Sequence, residues 1–352
     1  MELSKSNLNK ILENRRVEEL DFTTLRTLFE GEDKVKLHAP SGKFSVDPRT
    51  NDRVVYSEAR TRRPHDTVSE VLQVGRDDEC IICQGKTTGV IDFTPLSEGF
   101  TFINKNLFPA VFLHENNGKK NEIASGYHFL QWTSSVHGMD WHNMRIDDLA
   151  VVMKRLGALE EKLLSYGKYQ HVIIIKNYGR QVGGSLTHGH QQILWTNIKP
   201  GHFEADEKFA KERGTAFCEY MLNENPESLV VKDYGKAILV VPFFMKRPLD
   251  MMLFIKDTKK FHIYQLNDRE IFSVVEAFKE ATASIMKLMP LRGRKPAYNI
   301  VTHNSHSGLY FEFLPFTQEM GGLEKLGFYI CEGNPESIAA ELRDAIGEKQ
   351  SR

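Results

Sequence analysis

Apolar and polar positions along the chain change period several times. "HVIIIKNYG" (His171–Gly179) is β-branched and apolar and predicts a strand. "GRQVGGS" follows with the glycine content of a turn or a backbone nest. "GGSLTHGHQQIL" (Gly183–Leu194) then predicts a second strand. In an extended backbone every second side chain faces the same way, so His188, His190 and Gln192 share one face and Thr187, Gly189 and Gln191 the other. Upstream, "RIDDLAVVMKRLGALEEKLLSYG" has apolar residues at helical spacing, an Asp-rich start and a Gly stop. "RVVYSEA", "GFTFINKNLFPAVFLHE" and "GYHFLQWTS" predict further strands, and "LSKSNLNKILENRRVEEL" an N-terminal helix.

The same order recurs downstream. "KAILVVPFFMKRPLDMMLFIK" predicts two strands, "LNDREIFSVVEAFKEATASIMKLM" a helix with an Asn/Asp start, and "AYNIVTHNSHSGLYFEFLPF" a strand, a polar loop and a strand. This repetition predicts an internal duplication with its boundary near "KPGHFEADEKFAKERG". The expected organisation is an N-terminal helical extension over 1–40, a first half over 41–200 and a second half over 201–352. The fold class this predicts is α+β, two tandem halves with a mostly antiparallel sheet and flanking helices.

Length and charge narrow the picture. The chain has 352 residues, 41% of them hydrophobic, enough for a sizeable core. With 46 basic and 47 acidic residues the formal net charge is -1, which gives no support to nucleic-acid binding. No apolar run is long enough to span a membrane, and the polar start lacks the apolar core of a signal peptide, so a cytoplasmic location is expected. Four cysteines in this length make no disulfide framework. Cys218 and Cys331 stand alone and read as buried small side chains.

Cys80 and Cys83 form a C-x-x-C, with Gly85 placed to close the turn. Two thiolates on a tight turn supply two corners of a zinc tetrahedron, and histidines would complete it. His114, His128, His137, His142 and His188 are the candidates, and spacing does not choose among them. The alternative is a redox pair, but "GRDDECIICQGKTTG" does not read as a helix start after a strand.

Taken in order, these motifs resemble the galactose-1-phosphate uridylyltransferase family of the histidine-triad superfamily, whose relatives include ADP-sugar phosphorylases. "YSEARTRRPHD" is similar to the family's arginine-rich segment, with Arg60 and Arg63 at its arginine positions. "CIIC" is similar to its zinc pair, "NLFPA" (Asn106–Ala110) to its nucleotide-contacting segment, and "SSVH", ending at His137, to the segment giving a third zinc ligand. "KNYGRQVGGSLTHGHQQ" is similar to its active-site signature, with Asn177, Gly179, Ser185, His188, His190 and Gln192 in matching places.

The resemblance implies one zinc ion, Zn2+, on Cys80, Cys83, His137 and His188, and a nucleophilic His190. A neutral imidazole attacking the α-phosphorus of a nucleotide gives a nucleotidyl-histidine and splits one hard displacement into two easier ones. Arg60, Arg63, Asn106, Asn177, Gly179, Ser185 and Gln192 would hold nucleotide and phosphate. Gln192 replaces the third histidine of hydrolytic relatives. An amide donates a hydrogen bond but does not readily protonate a leaving group, which favours transfer to a phosphate acceptor. The implied activity is nucleotidyl exchange between a nucleotide diphosphate sugar and a sugar 1-phosphate or other phosphate. A phosphorylase or hydrolase on the same scaffold, or a catalytically inactive nucleotide binder, is the alternative. A homodimer is implied as well.

The chain departs from the family pattern in three places. The usual His-Pro-His-Gly-Gln is here His-Gly-His-Gln-Gln, so Gly189 forgoes proline's stiffness and Gln191 replaces a glycine that permits close approach. Tyr310 and Glu312 stand where a second metal site would have histidines, and that site is expected to be absent. His303 and His306 are then expected to be plain surface residues of a polar loop.

Overall fold

A computed structural model describes residues 3–11, 16–48, 52–62, 80–95, 100–114, 123–305 and 308–347. The elements are helices and antiparallel strands, an α+β fold, arranged as two compact units. The first comprises Met1–Asp140, Lys154–Ile174 and Ser185–Ala205; the second comprises Trp141–Met153, Ile175–Gly184 and Asp206–Arg352.

The first unit begins with short helices α1 (Lys5–Asn9), α2 (Phe22–Glu30) and α3 (Asp33–Leu37). The single N-terminal helix expected from the sequence is not continuous. α1 ends at Asn9, and the Ile11 carbonyl instead accepts from Val90 N at 2.6 Å, drawing the chain onto the sheet. A hairpin of β1 (Phe44–Val46) and β2 (Arg53–Val55) precedes strands β3 (Val90–Pro95), β4 (Phe100–Lys105) and β5 (Gly126–Trp132). α4 (Ile146–Ser165) and β6 (His171–Tyr178) follow, then β7 (His190–Thr196). β3, β4, β5 and β7 are adjacent in that order, each pair antiparallel, and Trp132 of β5 faces His190 of β7 across the ladder. Leu3, Leu8 and Ile11 pack on Ile82, Val90, Phe102, Leu130 and Trp132, burying one face of the first helix against the region that carries the cysteines.

His188 lies outside the strand on which the sequence placed it, because β7 starts at His190. The Gly189 carbonyl accepts from Thr133 N at 3.0 Å, just beyond the last β5 pair, so the ladder gives way to a loop at that point.

The second unit continues with α5 (Gly201–Arg213), α6 (Phe217–Glu224), β8 (Val230–Asp233), β9 (Ala237–Val240) and β10 (Met251–Ile255). Then come α7 (Asp268–Leu291), β11 (Tyr298–Ser305), β12 (Gly308–Pro315), α8 (Gly322–Lys325) and α9 (Pro335–Gly347). Residues 175–178 of β6 pair with β11, followed by β12, β10, β9 and β8, again antiparallel. Asn267 and Glu270 form a capping box at the start of α7. Ile271, Val274, Phe278, Ala281, Ile285 and Leu288 repeat every three or four residues and are buried.

His303 is not a surface residue. It lies on β11 at 1% exposure. Its Nδ1 is 3.1 Å from Asp206 Oδ2 and its Nε2 is 2.9 Å from Glu312 Oε2, while the Tyr310 hydroxyl donates to the same Asp206 carboxylate. A buried imidazole between two carboxylates satisfies both ring nitrogens, which a surface loop would leave to water. His306 lies outside the described residues. Cys218 is buried as expected, whereas Cys331 is only half-buried.

Burial opposes the His303 charge, but the bonds to Asp206 and Glu312 outweigh it and lift the imidazole from 6.5 to about 9. A raised folded-state value stabilises fully below the unfolded value of 6.5 and fades as pH rises towards 9. Thermal melting at pH 6 and pH 10 should therefore show a loss of up to about 3 kcal/mol at the higher pH. A His303→Gln variant should be less stable at pH 6 and show a much flatter pH dependence. An unchanged pH slope would remove this assignment.

Candidate active site and metal centre

Cys80 and Cys83 sit on a tight turn in which Gln84 N donates to the Cys80 carbonyl and Gly85 N to Ile82. Asn7 Nδ2 from α1 donates to the Cys83 carbonyl at 2.9 Å and fastens the turn. Gly85 has φ +68°, and a Cβ there would lie 2.5 Å from the Asn7 carbonyl oxygen. Both backbone and space therefore demand glycine. Gly85→Ala should cost about 2 kcal/mol or more and loosen metal retention, read by thermal melting and metal analysis. Unchanged melting would contradict the geometry.

His137 and His188 come to the same turn. Cys83 Sγ lies 3.6 Å from His137 Nδ1 and 3.7 Å from His188 Nδ1, and Cys80 Sγ is also 3.7 Å from His188 Nδ1. One ligand atom from each of the four residues lies within 4.8 Å of every other. A tetrahedral zinc with ordinary Zn–S and Zn–N bonds sets S···N edges of about 3.6 Å. The donor set and its spacing thus fit such an ion. His188 Nε2 bonds the Ser134 carbonyl at 2.8 Å, which carries the ring proton and leaves Nδ1 to face the sulfurs. Burial disfavours the Cys80 thiolate, but the side-chain contacts with His137 and His188 prevail and bring its pKa down from 9.0 to about 5. The thiolate, the metal-binding form, is therefore the neutral-pH state.

Beside this centre is a cleft that opens to solvent, lined by Asn106, Ser185, His190 and Gln192 among others. His190 is 6% exposed, and its Nδ1 bonds the carbonyl of His188 at 2.8 Å. In the neutral ring that bond holds the proton on Nδ1 and leaves the lone pair on Nε2. The Trp132 ring lies 5.0 Å from His190, tilted by 42°. The Gln192 amide and the Ser185 hydroxyl make no hydrogen bond among the described residues, so both are available to a ligand.

Arg60 does not line the cleft; its Nη1 donates to the carbonyl of Phe108, which does. Arg63 lies outside the described residues. Asn177 and Gly179 belong to the second unit. There Asn177 Oδ1 accepts from Asn299 Nδ2 at 2.7 Å, and Gly179 has φ +90° with Ala297 2.8 Å from where a Cβ would stand.

Two participants escaped the sequence reading. Among the described residues Lys86 is the one fixed positive charge lining the cleft, and it makes no ion pair there. Its place three residues after Cys83 was the available signal. Trp132 Nε1 donates to Asn104 Oδ1, and Asn104 Nδ2 donates to Thr87 Oγ1, which joins the ring beside His190 to the cleft wall. Only the β4–β5–β7 register reveals that chain of bonds.

Residues 34–200 match the family model described as galactose-1-phosphate uridyl transferase, N-terminal domain. Over this stretch the chain resembles the galactose-1-phosphate uridylyltransferase family. It is 22% identical to an ADP-glucose phosphorylase of Arabidopsis thaliana over 89% of its own length and 96% of that protein's. It is 22% identical to a galactose-1-phosphate uridylyltransferase of Thermotoga maritima over 70% of its length and 73% of that protein's. Among solved structures, a uridylyltransferase superposes with a TM-score of 0.69 at 19% identity, covering 87% of this chain and 98% of that one. The Arabidopsis thaliana ADP-glucose phosphorylase with bound ADP-glucose superposes with a TM-score of 0.65 at 19% identity, covering 86% and 98%. These likenesses carry the fold. The chain has a Cys/His cluster able to bind a metal, and among its described residues no helix is long and apolar enough to cross a membrane.

Its departure at Gln191 is accommodated locally. Gln191 Nε2 donates to Gln131 Oε1 of β5 at 2.6 Å, and both side chains are buried. A buried amide so paired does not incur the cost of an unsatisfied one.

Proposed function

We propose that this chain transfers a nucleotidyl group from a nucleotide diphosphate sugar to a phosphate acceptor, through a nucleotidyl-His190 intermediate. The observation that carries the reading is the His190 Nδ1 bond to its own neighbour's carbonyl, in a cleft that also presents Ser185 and Gln192. With the proton held on Nδ1, Nε2 attacks the α-phosphorus, the bond to the leaving sugar 1-phosphate breaks, and the imidazolium carries the nucleotidyl group. The acceptor phosphate then attacks the same phosphorus and His190 is released neutral. Ser185 and Gln192 donate to the non-bridging oxygens as charge builds there. Lys86 adds a cation for a polyanionic ligand. Asn106 lines the wall for the nucleoside, and Arg60, Arg63, Asn177 and Gly179 are retained as further nucleotide contacts by resemblance.

Zinc on Cys80, Cys83, His137 and His188 would tie the C-x-x-C turn to the loop before His190. It is structural in this reading and takes no part in bond making. We read residues 41–200 as the catalytic half and the active form as a cytoplasmic homodimer. Inorganic phosphate is the second acceptor to consider, because the relative aligned over 89% of the chain is an ADP-glucose phosphorylase.

The test is incubation with UDP-, ADP- and GDP-sugars, followed by mass mapping for an acid-labile nucleotide. Label on His190, discharged by hexose 1-phosphate or by inorganic phosphate, is the expected result and names the acceptor. Label on another residue, or discharge by water alone at the same rate, would overturn it.

A further inference from the structure

The family's proline between the two histidines is a glycine here, and the structure shows what stands in the space. A Cβ on Gly189 would lie 2.5 Å from Thr133 Oγ1, 2.7 Å from Asp140 Cγ and 2.9 Å from Asp140 Oδ2. Real Cβ atoms do not approach so closely, so the two side chains fill the room that proline or alanine would need. Gly189 is not a positive-φ glycine; space alone demands it. Thr133 also grips the segment, since its N and its Oγ1 donate to the Gly189 carbonyl at 3.0 Å and 2.9 Å. The next residue, Ser134, accepts from His188 Nε2 through its carbonyl. Thr133 and Asp140 are 0% and 2% exposed.

We propose that Thr133 and Asp140 are positioning residues for the nucleophile, supplying from behind the rigidity that proline gives from within. The argument rests on the reading of His190 as nucleophile. The carbonyl that fixes the His190 tautomer belongs to His188, one peptide from the braced Gly189 carbonyl. A shift or rotation of that peptide moves the acceptor and re-aims Nε2. Misplacement on the scale of an ångström costs roughly a hundredfold in rate while leaving substrate contacts in place. Asp140 acts here by its shape against Gly189, and Thr133 by its hydroxyl.

The test uses the full-length, metal-loaded protein. Thr133→Val keeps the volume and removes the hydroxyl; kcat should fall roughly 10- to 100-fold, with KM for the nucleotide sugar within about twofold and metal content unchanged. Thr133→Ser should restore most of that loss. Asp140→Gly opens the space and should also lower kcat selectively, whereas Asp140→Asn, of the same shape, should recover it. Gly189→Pro, which installs the family residue, should lower kcat at least about 100-fold. The proposal is overturned if Thr133→Val and Asp140→Gly keep wild-type kcat, or if Gly189→Pro is as fast as wild type. It is equally overturned if Thr133→Val loses metal, KM and kcat together, since a merely structural part would do that. Turnover at the wild-type rate by His190→Gly would instead sink the reading of the nucleophile, and only that arm reports on it.

Discussion

His190→Gly is expected to lower turnover by about 10⁴-fold or more while metal content and the melting temperature stay near those of the parent. The magnitude follows from the proposed role of His190 as the group that bonds to phosphorus, whose loss appears in kcat and not in KM alone. Selectivity for catalysis follows from geometry. The His190 side chain bonds back to the His188 carbonyl, and it lines the cleft. The residues that could hold a metal are all others. Glycine also leaves a gap beside Trp132, 5.0 Å away in the parent, into which free imidazole can diffuse. Added imidazole should therefore return part of the activity. Wild-type rates from the variant would end the assignment, and so would a loss of metal as large as that from a ligand mutation.

Cys83→Ser should act in the opposite way, through stability. Cys83 is 2% exposed, its carbonyl receives Asn7 from α1, and its sulfur faces His137 and His188. Removing the thiolate takes away a ligand and releases three separate stretches of chain from one another. The expected cost is on the order of 5 kcal/mol, with metal content falling from one ion per chain to near zero. A chelator should shift the melting of the parent protein towards that of the variant and should hardly move the variant itself. Full metal content in Cys83→Ser, or a parent indifferent to chelator, would show that the cluster binds no structural ion.

How much of this was legible beforehand depended on whether a contact was local. The β6 and β7 strands, the long helices α4 and α7, and the glycine-closed cysteine turn follow from period, caps and turn chemistry, and each was read from the chain. The choice of His137 and His188 among five candidate histidines was not, because ligands 54 and 108 residues from the cysteines are joined only by folding. The resemblance supplied that choice and the side-chain geometry agrees with it. The burial of His303 was missed for a related reason. A polar run in a strand reads as a solvated loop unless its partners are known, and Asp206 is 97 residues away. Lys86 went unnoticed because a lysine after a turn is ordinarily a solvated side chain, and only the cleft gives it a neighbour.

The Gln131–Gln191 pair bears on how such chains are to be found and compared. Residue 191 sits inside the signature by which members are usually recognised, while its partner sits sixty positions upstream in an unremarked strand. A change at either site alone removes this bond, so an exchange at one site is expected to be answered at the other. A search pattern that insists on glycine at that place will discard chains such as this one, whose substitution is answered on the adjacent strand. Residue 131 belongs in the pattern together with 191, and covariation of the two should mark the branch of the family that made the exchange.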